Sequence, residues 1–261
     1  MARLPPWRRI LQDRYPPWDV LDDPVEGGPA TQVGRDAELA ATIARAPDAP
    51  PTAPLYRVWT NRRCLVVTKR EQRLDDFEAA AAASAKRGWP VVPRDSGGTV
   101  VPHLSTSVLV TLILPRRPAP EPGADAVFEL LSAPVMEALG TLNIATEFGA
   151  VPQSFCDGRH NLVVNARKIA GTAQRWRGGL PGHPVRAGYV LAHLVLYVTA
   201  DMKRATGAVN HFLRDAGRPA AFDPAAMTTV QAAAPSDLAS RPARALQAHV
   251  RRVLIDVLQR H

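Results

Sequence analysis

Lysine is scarce in this chain. Its 261 residues carry four lysines, Lys69, Lys86, Lys168 and Lys203, against 28 arginines. A chain that prefers arginine so strongly makes each remaining lysine a candidate for chemistry. An ammonium is a compact charge that can sit on one oxygen, whereas a guanidinium is a planar fork. Cysteine is scarcer still. Cys64 and Cys156 are too few for a disulfide scaffold or a cysteine zinc cluster. No run approaches the roughly 18 apolar residues of a membrane-spanning helix, and the longest, residues 190–198, is interrupted by His193. The start, Met-Ala-Arg-Leu-Pro-Pro-Trp-Arg-Arg, lacks an apolar core of signal-peptide length. A reducing, cytoplasmic location without a membrane partner is the default expectation. Internal repeats, an arginine-rich tail and nucleic-acid motifs are also missing, so no nucleic-acid partner is expected.

What is present is a basic, core-forming chain. The net charge of +8 and pI near 10.2 suggest an anionic partner. The basic residues are scattered, with short pairs at 8–9, 62–63, 116–117 and 251–252. Hydrophobic residues make up 46% of the chain, enough for a sizeable core.

The pattern along the chain alternates helices with short strands. Residues 1–31, rich in Pro, Trp and turn formers, are expected to be irregular. Leu39 and Ile43 mark a helix over 33–46. Short strands follow at 58–59 and 64–68. Asp75 or Asp76 can cap a helix running to Lys86, with Gly88 at its end. A β-branched strand spans 107–114 and a helix 127–139. Residues 178–182 form a glycine-rich loop, and 189–199 a long strand. Asp201 caps a helix that ends at Gly217. A linker at 218–235 precedes a C-terminal helix within 236–261, whose Leu246, Val250, Val253 and Val257 form an apolar stripe. Strands come in adjacent pairs between helices. That favours an α+β fold with a mixed, mostly antiparallel central sheet flanked by helices. The whole chain, 1–261, is expected to be one domain.

Two constellations carry chemistry. The first is Arg94-Asp-Ser-Gly-Gly-Thr-Val-Val-Pro-His103. Gly97 and Gly98 let backbone N–H groups approach an anion or a carbonyl closely, and Arg94 can pair with a phosphate. The spacing is not that of a P-loop. The second is a hairpin, with runs at 161–165 and 168–175 joined by a polar turn. Simple alternation puts Lys168, Ala170, Thr172 and Gln174 on one face, with Ile169 and Ala173 on the other. Gly171 would let a ligand come close. His193 follows on the next strand.

In this order the segments resemble the lipoate–protein ligase and octanoyltransferase family, related to the biotin–protein ligases. The Arg94 to His103 loop is similar to the family's Arg-Arg-x-x-Gly-Gly-Gly-x-Val-x-His. Asp157-Gly-Arg-His-Asn-Leu162 is similar to its Gly-Arg-Asn-Asp-Leu segment. Arg167-Lys-Ile-Ala-Gly-Thr-Ala-Gln-Arg175 is close to its Lys-Ile-x-Gly-Ser-Ala-x-Arg signature. The resemblance covers about residues 33–217. It implies a catalytic core like that of class II aminoacyl-tRNA synthetases and biotin ligases. It also implies transfer of a lipoyl or octanoyl group to a lysine of an acceptor domain in 2-oxoacid dehydrogenase or glycine-cleavage complexes.

Carried over by position, Ser96, Gly97, Gly98 and Thr99 would line the acyl chain, with Arg94 near phosphate and His103 beside them. Lys168 would hold the acyl carbonyl. Gly171, Thr172 and Gln174 would border an acyl-adenylate, and Arg159, Asn161 and His193 are further acyl- or nucleotide-binding candidates. The chain departs from the pattern at Pro93, Thr99 and Asn161, and the last change weakens a Mg²⁺ ligand. Two enzymes remain, together with a non-catalytic acyl-binding relative. The leading expectation is an ATP- and Mg²⁺-dependent lipoate ligase. The alternative is an octanoyltransferase that needs no cofactor, takes octanoate from acyl carrier protein, and uses Cys156 as a thioester nucleophile.

Overall fold

The structure is a computed structural model that describes residues 5–23, 27–43, 53–116, 122–178 and 188–260. The chain begins with α1 (Pro6–Arg14), β1 (Asp19–Asp23) and α2 (Pro29–Ile43). β2 (Leu55–Trp59), β3 (Cys64–Val67), α3 (Phe77–Lys86), β4 (Val91–Pro93), β5 (Val101–His103) and β6 (Ser107–Pro115) follow. The middle holds α4 (Ala124–Thr141), β7 (Glu147–Gly149), β8 (Asn161–Val164), β9 (Arg167–Arg177) and β10 (Tyr189–Tyr197). α5 (Met202–Asp215), the short α6 (Val230–Ala233) and α7 (Ser236–Ala239), and α8 (Ala243–Gln259) complete it.

The strands build a seven-stranded sheet in the order β1-β2-β6-β10-β9-β8-β7 and a three-stranded sheet in the order β4-β3-β5. Pairing is antiparallel except for β1 with β2 and β3 with β4. The mixed, mostly antiparallel sheet flanked by helices is the expected architecture. The separate small sheet is an addition to it.

Each face of the large sheet has its own core. Val108, Val110, Leu112 and Leu114 of β6, with Val190, Ala192, Leu194 and Leu196 of β10, pack with α1, α4 and α8. The alternate residues Leu109, Val195 and Tyr197 pack with the small sheet and α5. Cover on both sides explains why every residue of β6 is buried. The candidate site lies in the layer between the two sheets.

Local chemistry explains the element ends. The Asp201 carboxylate accepts the Arg204 N–H at 3.0 Å and caps α5. Gly217 follows that helix at φ +76°, a left-handed position that suits glycine. The β8–β9 hairpin turns on Asn165 and Ala166, both left-handed at φ 48° and 58°, the geometry of a two-residue hairpin turn.

Residues 1–31 differ from the expected irregular segment. They contain α1, β1 and the start of α2. Proline at the first turn suits a helix start. Trp7 and Leu11, one turn apart, bury against the core. Trp18 donates its indole N–H to the Leu258 carbonyl at 2.8 Å, and Arg8 reaches the Val257 carbonyl at 2.9 Å. The 218–235 linker holds α6, and the last helix starts at Ala243. Most of the glycine-rich 178–182 loop lies outside the described residues.

Candidate active site

The site is built around a β-bulge. Leu162 pairs with Ala170, but Val163 pairs with Lys168, so Ile169 is an extra residue in β9. The bulge turns Lys168 away from the face that simple alternation predicts. Lys168 lies with Gly171: a Cβ added at Gly171 would sit 3.0 Å from Lys168 Nζ. Gly171 therefore makes room for the lysine side chain. Thr172 and Gln174 lie toward α4 instead. Thr172 Oγ1 donates to the His160 carbonyl at 2.9 Å, and Gln174 Nε2 to that of Ala124 at 3.3 Å. His160 itself stacks on Phe128 of α4 at 4.4 Å.

Lys168 is 1% exposed. Its ammonium donates to the carbonyls of Phe155 and Cys156, the latter at 2.9 Å. Burial pulls its pKa down to about 8; charge on Cys156 and Asp157 opposes that, and Arg94 adds to it. The Cys156 carbonyl also accepts the Gly158 N–H at 2.9 Å and Asn161 Nδ2 at 2.7 Å. Three donors fix one peptide, and they hold Cys156 at φ +53°, a strained value for a residue with a Cβ. Asn161 is thus a pin for the cysteine loop.

Gly98 meets Cys156 from the other side. It has φ +109°, and an added Cβ would lie 2.9 Å from both Cys156 Sγ and Arg94 Nη2. Arg94 points inward, donating to the carbonyls of Gly97 at 3.1 Å and Thr99 at 3.0 Å, while its buried Nε lacks a partner. Burial lowers its pKa, and negative charge on Cys156 and Glu71 opposes that. The guanidinium braces the glycine loop.

A cavity of about 250 Å³ opens beside this cluster. Val33, Trp59, Val66, Leu109, Leu191 and Val195 give it apolar walls, and Arg94, Ser96, His103 and His193 give it polar points. It is slightly smaller than sites for drug-sized ligands, about 300–1,000 Å³. Ser96 Oγ lies 2.8 Å from His193 Nε2. His103 Nδ1 lies 3.1 Å from Asn61 Nδ2, which fits an acceptor nitrogen on a neutral ring. Burial, Arg94 and His193 hold the His103 pKa well below the usual histidine value.

The sequence reading missed Asp36, whose Oδ2 lies 3.9 Å from His193 Nδ1. Asp36 also accepts from Thr111 Oγ1 at 2.9 Å and from Arg57 at 2.6 Å. Its signal was its place on the buried stripe of α2, with Gln32, Ala40 and Ile43. Arg159 does not join the site: it is exposed and pairs with Asp125 at 2.7 Å. Among the described residues no three His, Cys, Asp or Glu side chains converge as a metal site. Among them, too, no helix is long and apolar enough to cross a membrane.

Residues 29–245 match the model of the lipoyl protein ligase A/B catalytic domain. An octanoyl-[GcvH]:protein N-octanoyltransferase of Kyrpidia tusciae is 38% identical over 208 residues, which cover 79% of this chain and 69% of that protein. The protein of the same name from Geobacillus kaustophilus is 28% identical over 171 residues, covering 64% of this chain and 59% of its own length. The structure of protein Ta0514 from T. acidophilum, a candidate lipoate protein ligase with bound lipoic acid, superposes with a TM-score of 0.63. That match covers 92% of this chain and 83% of Ta0514 at 15% identity, a likeness of fold.

Proposed function

The chain belongs to the lipoyl protein ligase A/B catalytic domain family, and from that premise we propose that it is an ATP-independent octanoyltransferase with Cys156 as nucleophile. The observation that carries this reading is the setting of Cys156. Its sulfur rests on Gly98 beside the Arg94 guanidinium, which also lines the apolar cavity, and its carbonyl is pinned by Lys168. The names of the relatives favour the same enzyme over the adenylate-forming ligase expected first. They also favour an octanoylated GcvH as donor, in place of acyl carrier protein.

The octanoyl chain lies in the cavity with its carbonyl toward Cys156. The sulfur attacks the carbonyl carbon; a C–S bond forms and the bond to the donor lysine nitrogen breaks. The thiol proton leaves with that amine. The amine of an acceptor lipoyl domain then attacks the thioester, the C–S bond breaks, and a proton from the amine returns to sulfur. Lys168 has three N–H donors and spends two on backbone carbonyls. The third is available to the oxyanion that forms in both steps. The strained backbone holds the sulfur at one position, which favours a near-attack geometry.

The test is incubation with octanoylated GcvH and an unmodified lipoyl domain, with and without ATP, followed by mass spectrometry of both proteins. Transfer without ATP is expected. Modification that occurs only with free octanoate or lipoate plus ATP and Mg²⁺ would return the chain to the ligases.

A further inference from the structure

One carboxylate at the edge of the acyl cavity faces three cations. Asp95 lies between Arg94 and Ser96 in the glycine loop and itself borders the cavity. Lys69 Nζ and Arg175 Nη1 each lie 3.2 Å from its Oδ1, and Arg177 Nη2 lies 3.5 Å from its Oδ2. The cations come from two places, the segment after β3 and the outer end of β9. They are not equivalent. The Arg175 side chain is 17% exposed and also donates to the Asp95 carbonyl. Lys69 and Arg177 are open to solvent at 60% and 47%. One negative charge against three positive ones leaves the rim with two in excess.

Exposed ion pairs of this kind are weak and screened by salt, so Asp95 holds Lys69 and Arg177 exchangeably. An octanoyl chain attached to a lysine of a carrier brings that carrier's surface to the cavity mouth. We infer that Lys69, Arg175 and Arg177 form a docking rim for carboxylates on the carrier face around its acylated lysine, and that Asp95 occupies the rim when no carrier is bound. This rests on the transferase reading for the identity of the carrier. Rim charges of this type act mainly on encounter and on salt dependence.

The test measures binding separately from chemistry. Octanoylated GcvH is titrated calorimetrically into Cys156→Ser protein, so that no acyl group moves, alone and combined with Lys69→Ala/Arg177→Ala or with Asp95→Asn, at low and high salt. Acylation by a small octanoyl thioester is followed in parallel by intact mass, with Cys156 retained. The double variant should bind the carrier roughly tenfold more weakly, about threefold per lost charge, with a flatter salt dependence. Asp95→Asn keeps its backbone carbonyl for Arg175 and removes the competing charge, so it should bind the carrier more tightly. Acylation by the small thioester should be unchanged in Arg177→Ala, whose side chain does not line the cavity. Equal carrier affinity in all three proteins, weaker binding in both variants, or no carrier binding at all would overturn the docking rim. ATP binding that disappears in the double variant while carrier binding persists would assign the rim to a nucleotide and overturn it too. Carrier binding with the expected charge dependence but without acyl transfer would leave the rim standing and remove the transferase reading.

Discussion

Two buried cations, Lys168 and Arg57, divide the work of this molecule. Arg57 is fully buried and fully paired. It meets Asp23 and Asp36 at 2.6 Å each, Gln32 Oε1 at 2.6 Å and the Gln32 carbonyl at 3.0 Å. Its guanidinium also lies over the Trp59 ring, 4.3 Å from the centroid. Lys168 is as deeply buried, yet its hydrogen bonds go to two backbone carbonyls, and its pKa falls to about 8. A cation that meets two carboxylates and a glutamine ties β1, β2 and α2 together. A cation held by neutral carbonyls keeps charge and a donor for something else. Burial alone does not distinguish the two roles; the partners do.

Breaking the paired cation should have the largest effect on stability. Arg57→Met leaves Asp23 with the part-exposed Arg35 and Asp36 with Thr111 and His193, and losing one member of a buried ion pair costs up to about 3–5 kcal/mol. Chemical denaturation should register that loss. A variant as stable as wild type would mean that the cluster holds nothing together.

The unpaired cation should give the opposite profile. Lys168→Ala should leave the circular dichroism spectrum and fold intact and lower turnover by about two orders of magnitude, the scale of one oxyanion donor. Near-normal turnover would erase the contrast with Arg57.

Gly98 bears on the cysteine rather than on either cation. Gly98→Ala places a Cβ 2.9 Å from Cys156 Sγ and from Arg94 Nη2 at φ +109°. Strain of this kind costs about 1–3 kcal/mol. Acylation of Cys156 should slow more than the melting temperature falls. A loss confined to stability would make the loop an ordinary turn.

The smallest effect is on pH dependence. Lys168 acts as an ammonium, so activity should decline as pH rises through about 8. Its folded pKa lies below the unfolded value near 10.4. The unfolded chain therefore binds more protons between those values, and wild-type stability relative to Lys168→Met should rise over that window. A flat pH–rate profile through pH 8 in wild type would contradict a charged Lys168.

Much of this was legible in the residues. Adjacent β-type runs around Asn165 gave the hairpin, and the glycine pair and lysine signature gave the family. Other features depend on tertiary context. A bulge adds a single residue, so nothing local marks Ile169 as extra, yet it decides the face of Lys168 and separates it from Thr172 and Gln174. A guanidinium fork suits phosphate, but the residues of the loop do not reveal that Arg94 also donates to the Gly97 and Thr99 carbonyls. Proline and tryptophan near the start suggested irregular chain, whereas Trp7 and Leu11 at helical spacing bury a face. Asp36 was visible only as a charge on an apolar helical stripe.

Cys156 carries the acyl group in the proposed cycle, and intact mass spectrometry of the protein reads that group on the sulfur. Incubated with octanoylated GcvH in the absence of ATP and acceptor, wild type should gain one octanoyl mass that maps to Cys156 and is released by hydroxylamine. Cys156→Ser should gain no thioester and transfer nothing to a lipoyl domain. Full transfer by Cys156→Ser, with no adduct on the wild type and a strict need for ATP, would contradict it.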